Sequence, residues 1–194
     1  MERQQILNFL ETKVSKKRYQ HCLGVEQTAV SLAPRYNVDP QLASVAALLH
    51  DVCREYDPDL LLQLASKFDI LIDDIARAEP ILLHGAVGAR IVKEELGIED
   101  NQILEAITYH ITGAPNLCAL SNLIFIADYI EPGRTFEQAK LLRAEAFGLE
   151  PEELLLRVFN NTLHYVIDRH YLIHPNTIAG RNELIMKGYH QNNG

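Results

Sequence analysis

The chain has 194 residues, of which 47% are hydrophobic and 23% charged, a composition typical of a globular protein. A formal net charge of −8 argues against an extended nucleic-acid surface, which would need a positive field. The first residues, MERQQILNFLETK, are too polar for a signal peptide, and the apolar runs are too short to cross a membrane. Three cysteines without a CxxC pair fit reduced thiols. We therefore expect a cytoplasmic protein with neither a nucleic-acid nor a membrane partner.

Apolar residues recur at spacings of three and four between frequent proline and glycine residues, which predicts helices along the whole chain. Leu42, Val45 and Leu49 form one such series, and no segment alternates as a half-buried strand would. The predicted helices, in chain order, cover residues 2–13, 16–35, 40–53, 58–67, 70–78, 80–96, 100–111, 117–130, 136–147 and 151–171, with a short one after Pro175. The tail GYHQNNG, residues 188–194, is expected to be disordered.

Helix boundaries are marked by capping residues. Asp39-Pro40 and Asp57-Pro58 each combine an N-cap aspartate with proline at the first helical position. Three glycines follow periodic segments, where a left-handed C-cap residue is expected: Gly97, Gly113 and Gly148. Because the connections are short throughout, we predict an all-α fold in which residues 1–194 form a single domain.

The stretch ALLHDVCRE, residues 47–55, ends an apolar helical run in adjacent His50 and Asp51. A helix end that reaches solvent would explain the pair, and so would a metal site with further ligands elsewhere. Four other groups able to bind metal lie on or beside apolar helical segments: His21, His84, His110 and Asp128. A carboxylate in a run as apolar as LIFIADYIE needs a counter-charge, which a metal ion held by imidazoles can supply.

Each of these residues alone also has a structural explanation. A single histidine on an apolar face is more often a hydrogen-bonded core residue. Asp128 alone could cap a neighbouring helix or pair with Arg134. Only the ordered set favours a metal centre: one His, then His-Asp, two more His, then Asp. The later histidines lack this context and are interpreted as structural or surface residues: His164, His170, His174 and His190.

The order of these residues resembles that of the HD phosphohydrolase superfamily. In that superfamily the positions of His21, His50-Asp51 and Asp128 hold a metal ion. His84 and His110 resemble the additional histidines of variants that hold a second metal. The resemblance therefore implies an all-α HD-domain helical bundle with a two-metal site.

Five segments resemble one branch of the superfamily more closely, namely RYQHCLGV, LLHDVCRE, ILLHGAVGA, YHITGAP and ADYIEPGR. They are similar to the YqeK branch, which comprises bacterial symmetrical diadenosine tetraphosphate hydrolases with a di-iron centre. The similarity extends from about Ser15 to the C-terminal helix. One departure is Ile111, where the branch has threonine. On this resemblance, residues from about 15 to 130 would carry the metal site, and residues 136–190 would form a C-terminal helical extension.

The resemblance also implies roles for the ligands. Asp51 would bridge two divalent metals through both oxygens, and Asp51 and His50 are the predicted catalytic residues. Mixed imidazole and carboxylate ligands suit iron, manganese, nickel or zinc better than magnesium, and the resemblance favours iron. The two metals would activate a water molecule that attacks the substrate directly.

Three arginines near the ligands are candidates for phosphate binding, because guanidinium groups bind phosphate in a bidentate manner. Arg54 lies one helical turn after Asp51, and Arg18 precedes His21 by three residues. Arg134 follows Asp128 through an EPG turn, although Glu131 could pair with it instead. Each arginine could also be a surface charge. Two of the predicted metal ligands are also assigned to substrate binding: His84 and His110.

The predicted function is hydrolysis of a nucleotide phosphoanhydride. The resemblance implies symmetrical cleavage of diadenosine tetraphosphate to two molecules of ADP. Another nucleoside or deoxynucleoside di- or triphosphate is an alternative substrate. A non-catalytic nucleotide-sensing module is an alternative of a different class, although six ligand-type residues argue against it. The expected partner is a small nucleotide, and the oligomeric state, a homodimer included, stays open.

Overall fold

The computed structural model describes residues 2–189 and contains eleven α-helices and no β-strand within that range. In chain order the helices are α1 (Arg3–Lys13), α2 (Lys16–Leu32), α3 (Pro40–Leu49), α4 (Pro58–Lys67), α5 (Asp74–Ala78), α6 (His84–Leu96), α7 (Asn101–Tyr109), α8 (Ala119–Ile130), α9 (Glu137–Glu145), α10 (Pro151–Asp168) and α11 (Pro175–Met186). Two short 3-10 helices cover Ala33–Tyr36 and Pro80–Leu83. The predicted all-α fold is confirmed.

The helices agree closely with the prediction, and the main differences occur at their ends. α3 ends at Leu49 and not near residue 53, so His50 caps it and Asp51 lies in the following turn. His110 likewise caps α7. The segment predicted as one helix over residues 80–96 begins with a 3-10 turn, and α6 starts at His84. Three candidate ligand histidines therefore lie at helix ends, where backbone polar groups are not all used within the helix.

The predicted N-caps are present. Asp39 accepts a hydrogen bond from the backbone N–H of Gln41 at 2.8 Å. Asp57 accepts one from the backbone N–H of Leu60 at 2.9 Å. In both helices proline follows the cap, where its missing N–H leaves no helical hydrogen bond unmade. These caps fix where α3 and α4 begin.

Gly97 and Gly113 adopt the expected left-handed backbone, with φ of 67° and 58°. The same prediction for Gly148 is wrong, because this residue does not have a positive φ. The chain continues in a right-handed turn from Ala146, and the N–H of Gly148 bonds to the carbonyl of Glu145 at 2.8 Å. This hydrogen bond satisfies the helix end without a left-handed residue.

α8 is the central helix of the bundle. Most of its residues are buried, as expected for a helix that is apolar on nearly all sides. It packs against α2, α3, α7 and α10, and α2 and α3 also pack extensively against each other. Asp128 lies on this central helix. Three of the helices that pack around it, α2, α3 and α7, carry a candidate histidine or end at one.

The C-terminal part of the chain packs onto the segment that follows His110. Phe159 on α10 is fully buried, and its ring centroid lies 4.7 Å from that of Phe125 on α8. A Cβ atom at Gly113 would lie 2.5 Å from the Phe159 ring, so this ring is pressed against the backbone three residues after His110. α10 therefore shares a core with the helices that carry the candidate ligands.

Part of the predicted disordered tail, residues 190–194 including His190, lies outside the described residues. Within residues 2–189, none of the helices combines the length and the apolar character needed to cross a membrane. The three cysteines are free thiols, and Cys22 and Cys53 are buried.

Replacing Phe159 with alanine tests whether the C-terminal extension belongs to the same folding unit as the rest of the chain. Loss of a buried phenylalanine typically lowers the free energy of unfolding by about 3–5 kcal/mol. We expect that loss in a single transition followed by circular dichroism in urea. Ile167→Ala on the same helix is the control, because Ile167 is 53% exposed; its effect should stay within about 0.5 kcal/mol. A separate early transition, or equal effects of the two changes, would contradict a shared core.

Candidate metal centre

The structure brings six side chains together at the centre of the bundle, although they come from five different parts of the chain. His50, Asp51, His84 and His110 are buried, while His21 and Asp128 are partly accessible. The complete set is contributed by α2, the end of α3, the start of α6, the end of α7, and α8: His21, His50, Asp51, His84, His110 and Asp128. This is the full set of predicted metal ligands.

Asp51 lies between two groups of imidazoles. Its Oδ2 is 3.4 Å from Nε2 of His21 and 3.4 Å from Nε2 of His50. Its Oδ1 is 2.9 Å from Nε2 of His84 and 3.4 Å from Nε2 of His110. Each carboxylate oxygen therefore faces its own pair of histidines, and both groups are compact enough to hold a metal ion.

Asp128 belongs with only one of these groups. Its Oδ1 lies 3.0 Å from Nε2 of His21 and 3.9 Å from Nε2 of His50. We call His21, His50, Asp51 and Asp128 the first cluster. We call Asp51, His84 and His110 the second cluster. The first cluster thus offers two imidazoles and two carboxylates, and the second offers two imidazoles and the shared carboxylate.

Backbone carbonyls orient three of the histidines. In each case Nδ1 approaches the carbonyl of the residue three positions earlier, at 2.7 Å for His50, 2.6 Å for His84 and 2.8 Å for His110. A carbonyl oxygen only accepts hydrogen bonds, so Nδ1 must carry the proton in each ring. In the neutral imidazole, Nε2 then has the free lone pair, which is the form that binds a metal ion.

The unused nitrogen atoms of the first cluster fit a metal ion. Nε2 of His21 and Nε2 of His50 are buried, and neither has a hydrogen-bond partner among the described residues. Nε2 of His21 is close to Asp128, but this contact is electrostatic because the two groups are not aligned for a hydrogen bond. A buried polar atom without a partner typically costs about 1–3 kcal/mol. A divalent cation that replaces the proton on His21 and binds both nitrogen atoms would remove this cost.

The second cluster fits a metal ion for a related reason. Nε2 of His84 lies 3.1 Å from Nε2 of His110, and with both Nδ1 atoms protonated the two neutral rings would direct lone pairs at each other. Burial lowers the pKa of His84, and this effect outweighs the opposing effect of Asp51. The neutral form of the His84 ring is therefore favoured. A cation between the lone pairs and the Asp51 oxygen stabilises this arrangement.

The charges of the cluster match what metal ligation requires. Burial alone would raise the pKa of Asp51, but His50, His110 and His21 hold it well below its usual range. Burial would likewise raise the pKa of Asp128, but Arg134 and His21 lower it. Both carboxylates are therefore ionised at neutral pH. For His21, burial lowers the pKa, but Asp128, Asp51 and Glu131 together raise it to about 10. A metal ion would have to displace this proton in order to bind.

Two of the three predicted phosphate-binding arginines contact the cluster. Nη1 of Arg18 lies 2.7 Å from Oδ2 of Asp51. Nη2 of Arg134 lies 2.6 Å from Oδ1 of Asp128, and its Nε donates to the Asp128 carbonyl at 3.0 Å. The partly exposed Arg54 side chain makes no hydrogen bond or ion pair within residues 2–189. Arg54 touches the candidate ligands only through its backbone N–H, which donates to the Asp51 carbonyl at 2.9 Å, and no side-chain hydrogen bond or ion pair within residues 2–189 joins it to them.

Sequence reasoning missed the contact that Glu131 makes. Its only suggested partner was Arg134, whose Nε is 3.9 Å from Oε1 of Glu131. The structure instead places that oxygen 3.1 Å from Nδ1 of His21. The available signal was a carboxylate directly after the apolar α8, the same signal that drew attention to Asp128.

Comparison with known proteins identifies the family. The family described as HD domain matches residues 18–133. The chain is 36% identical over 193 residues to a protein of Halalkalibacterium halodurans named symmetrical bis(5'-nucleosyl)-tetraphosphatase, covering 96% of this chain and 99% of that protein. It is 31% identical over 185 residues to the Bacillus subtilis protein of the same name, covering 95% and 98%.

A solved structure is also closely similar. It is the crystal structure of a predicted HD superfamily hydrolase involved in NAD metabolism from Clostridium acetobutylicum. The two folds superpose with a TM-score of 0.91 at 38% sequence identity, covering 96% of this chain and 98% of the other. The HD match contains all six residues of the two clusters. The chain belongs to the HD-domain family, in its YqeK-type branch.

Proposed function

We propose that this protein is a metal-dependent phosphohydrolase that cleaves diadenosine tetraphosphate symmetrically into two molecules of ADP. The observation that carries the proposal is the position of Asp51, whose two oxygens face separate pairs of histidines. Relatives named symmetrical bis(5'-nucleosyl)-tetraphosphatase, which the chain matches over nearly their full length, support this choice of substrate.

The first cluster would hold one metal ion and the second cluster the other, with Asp51 shared by both. The ligand types suit iron, and manganese, nickel or zinc would also fit. When bound, two divalent cations would supply positive charge for the phosphates and a nucleophile at neutral pH. Cytoplasmic conditions would keep the free thiols of the chain reduced.

The arginines of the chain would position the phosphates. Arg134 is 35% exposed, so the N–H groups that it does not use for Asp128 can reach a phosphate oxygen from the solvent side. Arg18 is less accessible and lies against Asp51, where its charge offsets that of the carboxylate. Guanidinium groups at these two places would hold the polyphosphate against the cluster.

The reaction itself consumes one water molecule. The water oxygen forms a bond to the second phosphorus of the substrate, and the bond from that phosphorus to the oxygen shared with the third phosphorus breaks. The other half leaves as ADP, and Arg134 is placed to stabilise its developing charge. Attack must be nearly in line, so a shift of the substrate by one phosphate would move the reacting phosphorus out of reach.

Two alternatives use the same site differently. Another nucleoside or deoxynucleoside phosphate could be hydrolysed by the same chemistry. A nucleotide sensor would bind without turnover. It would not need buried imidazole nitrogens such as those of His21 and His50, which have no hydrogen-bond partner in the described part of the chain. That observation favours an enzyme.

The replacement Asp51→Ala tests the shared ligand. Because Asp51 serves both clusters, we expect bound metal to fall from about two equivalents to well below one, together with activity. Chelation should lower the melting temperature of the unmodified protein, since metal binds the folded state, and should change that of the variant little. Asp100→Ala is a control, because Asp100 only caps α7. Two equivalents of metal in an inactive Asp51→Ala protein would rule out the shared role.

Product analysis in isotopically labelled water tests the proposed cleavage. With diadenosine tetraphosphate as substrate, one labelled oxygen should enter one of each pair of ADP molecules, because water attacks one inner phosphorus. ATP and AMP should not form. Equal initial amounts of ATP and AMP, measured by mass spectrometry, would reject symmetrical cleavage. A nucleotide panel in the same assay would show whether another substrate is preferred.

Replacement of the arginines tests phosphate binding. Loss of one charge-assisted contact in Arg134→Ala should cost about 1.5–3 kcal/mol, or roughly a 10- to 100-fold lower kcat/KM, with metal content retained. Arg54→Ala tests whether Arg54 also binds phosphate, as its position one helical turn after Asp51 predicts. Unchanged kinetics would identify Arg54 as a surface charge. Arg157→Ala is the control, because Arg157 pairs with Glu145 and Glu153 away from the cluster. An Arg134→Ala enzyme as efficient as this control would contradict the proposed contact.

A further inference from the structure

Glu131 is a buried carboxylate whose main charged partner is a candidate metal ligand. Only 3% of the residue is exposed. Its Oε1 lies 3.1 Å from Nδ1 of His21, and its Oε2 accepts the backbone N–H of Gly133. The nearest guanidinium nitrogen, of Arg134, is 3.9 Å away, because Arg134 is held by Asp128. Each carboxylate oxygen of Glu131 therefore has its own partner: Oε1 faces the His21 ring and Oε2 accepts the backbone N–H of Gly133.

Two glycines without side chains provide the space that the Glu131 carboxylate occupies. A Cβ atom at Gly24 on α2 would lie 2.5 Å from Oε2 of Glu131. A Cβ atom at Gly133 would lie 2.9 Å from both oxygens. No larger residue fits at either place without moving the carboxylate.

His21 differs from the other three histidines of the clusters in needing a side-chain acceptor. Those three lie at helix ends and donate Nδ1–H to a backbone carbonyl. His21 lies inside α2, where the carbonyl three positions earlier, that of Arg18, already accepts the helical N–H of Cys22. Glu131 supplies the acceptor that the backbone cannot.

We infer that Glu131 is a positioning residue that orients His21 and strengthens its binding of the first metal ion. By accepting Nδ1–H it leaves the Nε2 lone pair directed at the first cluster. A carboxylate is a stronger acceptor than a carbonyl, so it makes the ring a better electron donor to a metal. The inference rests on the proposed function, because it presumes that the first cluster binds a metal ion.

Titration of metal-free protein with manganese(II) or cobalt(II), without any substrate, tests this role. Glu131→Ala should weaken one of the two binding steps by about 10- to 100-fold, because removing such a partner typically has an effect of that size. The other step should change only a few-fold. Glu131→Gln should fall between, since one amide oxygen cannot serve both His21 and Gly133.

Gly24→Ala provides a test that leaves Glu131 in place. Alanine favours the helix over glycine, so the melting temperature of the metal-free variant should be unchanged or higher. The added methyl group must displace the flexible end of Glu131, so the same metal-binding step should weaken. A purely structural role for Glu131 would not give normal stability together with lower metal affinity.

Glu26→Gln is the matched control, because Glu26 is a buried carboxylate on α2 that pairs with Arg3 and Ser44. It should bind both metals as the unmodified protein does. Unchanged affinities in Glu131→Ala and Gly24→Ala, or an equal loss in Glu26→Gln, would overturn the role of Glu131 and leave the proposed function standing. If Glu131→Ala does not fold, the Gly24→Ala result decides alone. Failure of the unmodified protein to bind metal would overturn the proposed function and the inference with it.

Discussion

The buried carboxylate of Asp51 is the charge that the rest of the site accommodates. Placing it near the centre of a helical bundle carries a desolvation cost, which four imidazoles and the Arg18 guanidinium offset. Those groups come from different helices, so the bundle must close around Asp51 for them to meet. The packing of α8 against α2, α3 and α7 makes that possible.

Helix ends give the imidazoles their direction. His50, His84 and His110 each bond a carbonyl three residues earlier, which a residue inside a helix cannot do without competing with the helical hydrogen bonds. The resulting cluster holds ionised carboxylates and two imidazole nitrogens that have no hydrogen-bond partner within residues 2–189. Buried nitrogen atoms without partners typically cost stability, and a divalent cation bound by them would remove that cost. We therefore expect metal binding to stabilise the folded protein.

Local physics explains why so much of the fold was predictable. Apolar spacing identified the helices, and Asp39 and Asp57 with their following prolines marked two helix starts correctly. Gly148 shows the limit of this approach, because whether a helix ends in a left-handed residue depends on how the next segment turns away. The helix ends at His50 and His110 were also placed a few residues late, because apolar residues continue past the last helical hydrogen bond.

By itself, the sequence determined the helices and the order of the six ligand-type residues, since periodicity, capping and residue type are properties of short segments. The resemblance implied that Asp51 joins two metal sites, but only the tertiary structure decided that Oδ2 faces His21 and His50 while Oδ1 faces His84 and His110. It also placed Glu131 against His21, and it left the Arg54 side chain without a hydrogen bond or ion pair to the cluster within residues 2–189. Glu131 and His21 are 110 positions apart in the chain. A contact at that separation depends on how whole helices pack, and no local pattern of residues encodes it.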